Sequence, residues 1–136
     1  MNFIGVVAAL TAFLSVWFGH VAVRKIELVS TTIWIPSAIF TVLGLIAEVF
    51  SLSTVHRPLS TAFGILGITL LFDAFELTRQ QKRVKKGHAP ANPNNPRHAL
   101  FLADPTLHAT TLDVLKRDPT GQPVSVEQAA KLITDH

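Results

Sequence analysis

The chain of 136 residues contains no cysteine, which excludes disulfides, thiolate catalysis, Cys-ligated zinc and iron–sulfur clusters. The first 23 residues contain no Asp, Glu, Lys or Arg. Because the N-terminus has neither a basic start nor a clear small-residue cleavage site, it does not resemble a secretory signal peptide, and we expect this segment to be retained. Residues 79–97 contain no acidic side chain. The lack of charged residues therefore indicates an apolar N-terminal segment, and the lack of acidic residues in 79–97 indicates a separate basic region.

Apolar residues are concentrated in the first part of the chain. They make up 47 of the first 78 residues and 19 of the last 58. The net charge of +3 depends on six basic residues within 79–97. Because no aromatic residue interleaves these charges, we interpret them as a local basic run and expect no nucleic-acid partner.

Three apolar windows predict membrane spans. A hydrocarbon core of about 30 Å needs roughly 20 helical residues, and helices satisfy their backbone polar groups internally. We predict spans at about 2–23, 29–50 and 59–78, with the last helix extending to residue 86, where Gly87 ends it. The charge-free part of the third window, 58–72, is short, so an interfacial amphipathic helix is the alternative there.

The distribution of Lys and Arg predicts the orientation. Eight basic residues share one side of the predicted spans, and Arg57 is alone on the other. We expect the spans to lie in a cell's inner (plasma) membrane. The positive-inside rule then places the N-terminus outside and the C-terminus in the cytoplasm. The eight residues are Arg24, Lys25, Arg79, Lys82, Arg83, Lys85, Lys86 and Arg97.

Small residues recur at alternating spacings of three and four in each span, which predicts close helix packing. The fold class is therefore all-α: a three-helix transmembrane bundle with a short cytoplasmic tail of two small helices. The stripes comprise Gly5, Ala8, Ala12, Ser15 and Gly19; Ser30, Trp34, Ser37, Thr41, Gly44 and Glu48; and Ser60, Gly64, Gly67 and Leu71.

The region after the spans divides into a linker and a tail. Residues 87–104 are rich in Pro and Asn, which favours a semi-extended linker. In the tail, 105–136, Asp104 is placed to cap a helix with Pro105 at its first position. A second helix, Val126–Thr134, follows a Ser-x-x-Gln capping box. Both are too short to be stable alone in water, so we expect them to pack on something.

Ionisable side chains near the predicted membrane boundary form the first candidate site. Asp73 and Glu76 are three residues apart and share a helix face. They mark the interface, contact His20 and Lys25, or face another subunit. We take His20 as a structural residue, since no second haem ligand lies in the spans. The candidate polar cluster on the cytoplasmic side is His20, Lys25, Glu27, Asp73 and Glu76.

Two further groups of charged residues are candidate sites. Glu48 and Arg57 form a candidate ion pair on the outer side, and a carboxylate entrance for a cation is the alternative. The basic run beside the membrane is a candidate contact for anionic lipid headgroups, or simply a topological anchor. The histidines have no metal-ligand spacing, so we expect no metal and no cofactor. The basic run consists of Arg79, Lys82, Arg83, Lys85 and Lys86.

Two motifs resemble an uncharacterised family of small bacterial three-span membrane proteins, domain-of-unknown-function family four-four-nine-one. The resemblance covers residues 1–97 and implies three spans and a cytoplasmic basic segment, but no activity. Val21 replaces the family's proline, and His88 and Ala89 replace its aromatic pair. The matching residues are His20, Lys25 and Glu27, and then Glu76, Leu77, Gln80, Lys82, Arg83, Val84, Lys86, Gly87, Pro90, Asn92 and Pro93.

The features together favour a non-enzymatic integral membrane protein, an accessory or assembly subunit of a larger membrane complex. The alternative is a small oligomeric transporter or channel that uses Glu48, Asp73 and Glu76. We expect no enzyme, because no nucleophile–base pair, metal motif or phosphate-binding loop is present. The expected partners are the lipid bilayer with its anionic headgroups and either another protein or further copies of the chain.

Overall fold

The computed structural model describes residues 3–113, and all regular structure in this range is helical. The four helices are α1 (Ile4–Val29), α2 (Trp34–Ser53), α3 (Arg57–Lys85) and α4 (Pro96–Ala103). The first three are long and apolar enough to cross a membrane, which confirms the predicted three-span, all-α fold. α3 has 29 residues, or about 43 Å of helix, so it also extends beyond a bilayer core.

α3 lies at the centre of the bundle. It packs against both α1 and α2, whereas α1 and α2 have almost no direct contact within the described part of the chain. Much of the surface of α1 and α2 is therefore apolar and exposed, as expected for helices in lipid. We call the side of the bundle that holds residues 24–33 and 79–113 the tail side, and the side of the loop at 54–56 the far side.

The seam between α2 and α3 uses the predicted small residues. The hydroxyls of Ser51 and Ser60 each donate to the other residue's carbonyl at 2.8 Å. A Cβ added to Gly44 would lie 3.0 Å from the carbonyl oxygen of Gly67. Nearer the tail side, the Ser37 hydroxyl donates to the carbonyl of Ala74 at 3.2 Å. The backbones therefore approach closely along the whole seam.

The seam between α1 and α3 is tight only toward the tail side. Ser15 and Thr69 have hydroxyl oxygens 3.3 Å apart, and a Cβ added to Gly19 would overlap the Asp73 carboxylate. At Gly5 a Cβ would meet no atom within 4 Å. The second half of the α1 stripe therefore packs against α3. The beginning of the stripe, at Gly5, is not packed against any other part of the described chain.

The C-terminus of α3 is closed as predicted by Gly87. This residue has φ of +72°, a left-handed conformation that favours glycine. The Gly87 N–H donates to the carbonyl of Val84 at 3.0 Å, and the His88 N–H to that of Arg83 at 2.9 Å. This pair of hydrogen bonds is a Schellman motif. It turns the chain back toward α1.

The predicted linker was wrong in part, because it contains α4. Asn95 caps this helix by accepting a hydrogen bond from the Arg97 N–H at 3.1 Å, and Pro96 occupies the first turn. An Asn-Pro pair read as a linker signal is here an N-cap followed by a favourable first residue.

The helix predicted from Pro105 does not form within residues 105–113. Asp104 does accept hydrogen bonds from the hydroxyl and N–H of Thr106, which lower the pKa of its carboxyl, but only one turn results. Next, the His108 N–H donates to the carbonyl of Lys85 at 3.0 Å and the Ala91 N–H to that of Thr110 at 2.8 Å. These backbone groups are bound to other segments and are not available to a helix. The predicted helix Val126–Thr134 lies outside the described residues.

Candidate functional site

A buried ionic cluster joins the end of α1 to α4. The side chain of Glu27 is 1% exposed, and its Oε1 lies 3.0 Å from Nη1 of Arg97 and 3.0 Å from Nε2 of His98. The Asn92 N–H donates to Nδ1 of His98 at 2.9 Å. Because Nδ1 accepts, the ring proton is on Nε2 and points at Glu27. Arg97 therefore supplies the balancing positive charge, and His98 supplies a neutral hydrogen bond.

The same segment caps the C-terminus of α1, where a helix leaves its last carbonyls without partners. The amide nitrogens of Asn92 and Asn95 donate to the carbonyl of Leu28 at 3.2 and 3.1 Å. Asn95 also donates to the carbonyl of Ser30 at 3.0 Å. Arg97 donates to that carbonyl and to the one of Glu27, and its charge also suits the negative end of the helix dipole. We call residues 92–98 the latch.

Apolar and aromatic contacts complete the latch. The ring of Phe101 stacks on His98 with centroids 5.7 Å apart, and Nζ of Lys85 lies 4.7 Å from the Phe101 centroid. Phe101 and Leu102 also pack against a small buried cluster of Val84, Ala89 and Ala91. The chain after α3 is therefore held to both α1 and α3.

A shallow groove inside the apolar part of the bundle contains Asp73. The groove has a volume of about 140 Å³, and Phe18 of α1 and Phe40 of α2 are on its walls, with Ser15 and Thr69 among the other lining residues. Asp73 is 4% exposed and forms no hydrogen bond or ion pair with any residue in 3–113, although His20 interacts with it electrostatically. A carboxylate at membrane depth normally has a partner, so this group is a candidate binding position.

The predicted five-residue cluster is divided between four places. His20 lies near Asp73. Glu76 instead forms ion pairs with Arg83 at 2.9 Å and Arg79 at 3.6 Å, and Glu27 belongs to the latch. Lys25 is exposed and forms no ion pair with a residue in 3–113. The expected joint contact of Asp73 and Glu76 with His20 and Lys25 therefore forms only in part.

The predicted ion pair between Glu48 and Arg57 does not form within the described residues. The side chain of Glu48 instead lies against Gly67, where an added Cβ would be 2.6 Å from its Oε1. Glu48 is more than one helical turn before the end of α2, and its side chain points back along the helix. The carboxylate therefore sits beside the middle of the membrane-spanning part of α3, and Arg57 is exposed at the far side.

The basic run is not a uniform charged surface. Arg79 and Arg83 are engaged by Glu76, and Lys85 packs over Phe101. Lys82 and Lys86 remain exposed and form no ion pair within residues 3–113. The run therefore serves partly as internal structure.

Sequence reasoning missed His98 and the capping role of the asparagines. The sequence pattern offers histidines only as metal ligands or residues of the spans, and it places Asn92 and Asn95 in a linker. The one available signal was Glu27, a charge close to the membrane boundary that required a partner in the fold.

Comparison with known proteins supports the resemblance that the motifs suggested. The model of a family described as domain of unknown function (DUF4491) matches residues 2–95, well over half of the 136-residue chain. No curated protein and no solved structure matches the chain. The matched range includes the three long helices and the capping residues Asn92 and Asn95, and it ends two residues before Arg97.

Proposed function

We propose that this chain, which belongs to the family described as domain of unknown function DUF4491, is a non-enzymatic integral membrane protein. In this proposal it works as an accessory or assembly subunit of a larger complex in a cell's inner membrane. The supporting observation is the groove between α1 and α2 with Asp73 inside it. The groove has room for a side chain from a membrane-spanning helix of another subunit.

The chemistry of Asp73 indicates what that helix carries. The carboxylate is almost fully buried, yet no residue in 3–113 donates a hydrogen bond to it. In the low dielectric of a membrane the charged form needs a donor or a cation close by. A Lys, Arg or hydroxyl side chain at the same depth on a neighbouring helix meets that need. Phe18 and Phe40 supply apolar walls for the rest of such a helix.

Photo-crosslinking in native membranes tests this assignment. A photoreactive phenylalanine at position 40 faces the groove, and the same residue at Phe13, which is 69% exposed on α1, serves as the control. We expect a crosslink to one membrane protein from position 40, lost when Asp73→Asn removes the charge, and not formed from position 13. A crosslink that is unchanged by Asp73→Asn, or the same from both positions, would contradict the proposal.

The position of Glu48 favours a second function, an oligomeric transporter or channel. This carboxylate lies beside Gly67 at the middle of α3, where ionisable groups commonly mark an ion path. Asp73 lies on the α1 side of α3 and Glu48 on the α2 side, so a joint path requires several copies of the chain. This function predicts a proton or cation flux in liposomes that Glu48→Gln and Asp73→Asn both reduce. Flux that neither substitution changes would exclude it.

A further inference from the structure

Two adjoining cavities lie on the tail side, between the end of α1, the extension of α3 and the segment after Gly87. Their volumes are about 370 and 330 Å³, and Arg24, Gln80 and Pro90 line both of them. We call the 330 Å³ cavity the basic cavity, because its lining within residues 3–113 also includes Arg83 and His88 but no acidic residue.

Arg24 is the unengaged cation of the basic cavity. It is exposed and forms no ion pair with any residue in 3–113, although it lines both cavities. Arg83, by contrast, is already held by Glu76 at 2.9 Å and by the Oε1 atom of Gln80 at 3.1 Å. Arg83 is therefore fixed in place, which leaves its remaining N–H groups in a defined position.

Gln80 provides an independent indication of a ligand. This side chain is 5% exposed, and its oxygen accepts from Arg83. Its amide nitrogen donates to no residue in 3–113. The amide group therefore has free N–H donors on an otherwise buried side chain, and an acceptor oxygen from a ligand can bind them. Because Gln80 lines both cavities, that oxygen would be in one of them.

We propose that the basic cavity binds the phosphate group of an anionic phospholipid headgroup. A phosphate offers several acceptor oxygens, which match the Gln80 amide and the Arg24 and Arg83 guanidinium groups. Arg24 follows directly after the apolar part of α1, so the cavity lies at headgroup depth, where basic pockets between membrane helices bind acidic lipids.

The neighbouring 370 Å³ cavity fits the remainder of the lipid. Val21 and Leu28 line it, which provides apolar surface along α1 next to the phosphate position. Glu27 and Asp113 also line this cavity. The charge of Glu27 is balanced by Arg97 at 3.0 Å, so it repels an anion only weakly. The phosphate is therefore assigned to the basic cavity and the glycerol and acyl chains to its neighbour.

The test is binding of a short-chain fluorescent phosphatidylglycerol to the purified full chain in uncharged detergent. Arg24→Gln removes one cation and is expected to weaken binding about fivefold. Gln80→Leu removes the amide donor without changing the charge and is expected to weaken binding about tenfold. Lys86→Gln removes an exposed cation outside both cavities and is expected to change binding by less than about twofold.

Two outcomes would overturn the assignment. If Lys86→Gln weakens binding as much as Arg24→Gln, diffuse attraction to the basic surface explains it, and no specific pocket exists. If glycerol 3-phosphate displaces the lipid at equal concentration and its own binding depends on Arg24 and Gln80, the site belongs to a soluble phosphate ester. Weaker binding of phosphatidylglycerol by Gln80→Leu, in which Arg24 and the net charge are unchanged, supports the pocket independently of charge.

Discussion

His98 has no exposed surface, and its neutral ring gives Glu27 a hydrogen bond but no positive charge. Glu27 needs both a hydrogen-bond donor and a compensating positive charge, because a buried unpaired charge is strongly destabilising. The Asn92 N–H fixes the ring so that Nε2–H faces Glu27. Arg97 carries the charge and also reaches the carbonyl of Ser30. Arg97 and His98 therefore each have more than one hydrogen-bond partner in the latch.

Glu27→Gln tests the charge balance of the latch. The substitution keeps an acceptor for His98 but leaves Arg97 without its carboxylate, at a cost of about 3 kcal/mol. We expect the latch to open, so that hydrogen exchange of the α4 amides becomes about 100-fold faster. Hydrogen–deuterium exchange with mass spectrometry of the detergent-solubilised chain measures this.

Two variants make that result specific to the charge. Glu48→Gln removes another carboxylate, remote from α4, and is expected to leave the α4 amides unchanged. Glu27→Gln combined with Arg97→Gln removes both charges and is expected to restore part of the protection, because neither charge is then left alone. A double variant as unprotected as the single one would contradict charge imbalance as the cause.

At the residue scale, the sequence predicts that a charged side chain requires a partner, but it does not predict which residues provide that partner. A charge at the membrane boundary such as Glu27 visibly requires a partner. The partners are 70 and 71 residues away in the chain, and no local periodicity links such distant positions. Gly87, by contrast, is predicted correctly, because the end of α3 is decided by a helix cap within a few residues.

At the scale of elements, the backbones of α2 and α3 come close together where two glycines meet. Gly44 and Gly67 face each other across this seam, and Leu71 fills the space beside them. In lipid, helices associate through such close packing, because burial of apolar surface provides no net drive. The spacing of small residues predicts this seam correctly. It does not predict that α3 lies between the other two helices, since each span carries a similar stripe.

Gly44→Ala tests the seam. The new Cβ would lie 2.8 Å from a Leu71 carbon and 3.0 Å from the Gly67 carbonyl oxygen, so α2 must move away. We expect a loss of about 1–3 kcal/mol, as for other overpacked contacts. Thermal unfolding in detergent, followed by the fluorescence of Trp17 and Trp34, measures it as a lower Tm.

Gly5→Ala is the matched control, because it makes the same change in a helix where a Cβ meets no atom within 4 Å. Its Tm is expected to be equal to or slightly above that of the unsubstituted chain, since alanine is the better helix former. Equal losses in the two variants would show that the effect is not caused by crowding between α2 and α3.

For the whole molecule, we expect the distribution of charge between its two sides to decide the orientation. Of the nine basic residues within 3–113, eight lie on the tail side and Arg57 is alone at the far side. Part of the tail-side charge is engaged by Glu27 and Glu76. The bias nevertheless remains large, and positive-inside topology depends on Lys and Arg near the spans more than on net charge. We therefore propose that the tail side is cytoplasmic.

Single-cysteine labelling measures this orientation without a background signal, since the chain has no cysteine of its own. Val55 is 91% exposed in the far-side loop, and Leu100 is 72% exposed on α4. In intact cells we expect a membrane-impermeant maleimide to label Val55→Cys and to label Leu100→Cys only after lysis. Labelling of Leu100→Cys before lysis, with Val55→Cys protected, would reverse the proposed topology.

At this largest scale the sequence is most informative for the spans and least for the tail. The spans follow from the length of the apolar segments alone, and this length can be read directly from the sequence. The tail segment around His108 takes its conformation from backbone hydrogen bonds to Lys85, and these depend on the turn at Gly87 and on α4. Capping residues such as Asp104 indicate where a helix can begin, but not whether neighbouring segments already hold the backbone that follows.

The latch also has a consequence for biosynthesis. A ribosome completes α1 long before it reaches Arg97, which lies 70 residues after Glu27. In the proposed topology we expect water to solvate the carboxylate and the last carbonyls of α1 during that interval, while Arg24 and Lys25 are the basic residues already present to orient the first span. We expect the latch to displace that water when it emerges, so that the final step of assembly occurs outside the bilayer, after all three spans have been inserted.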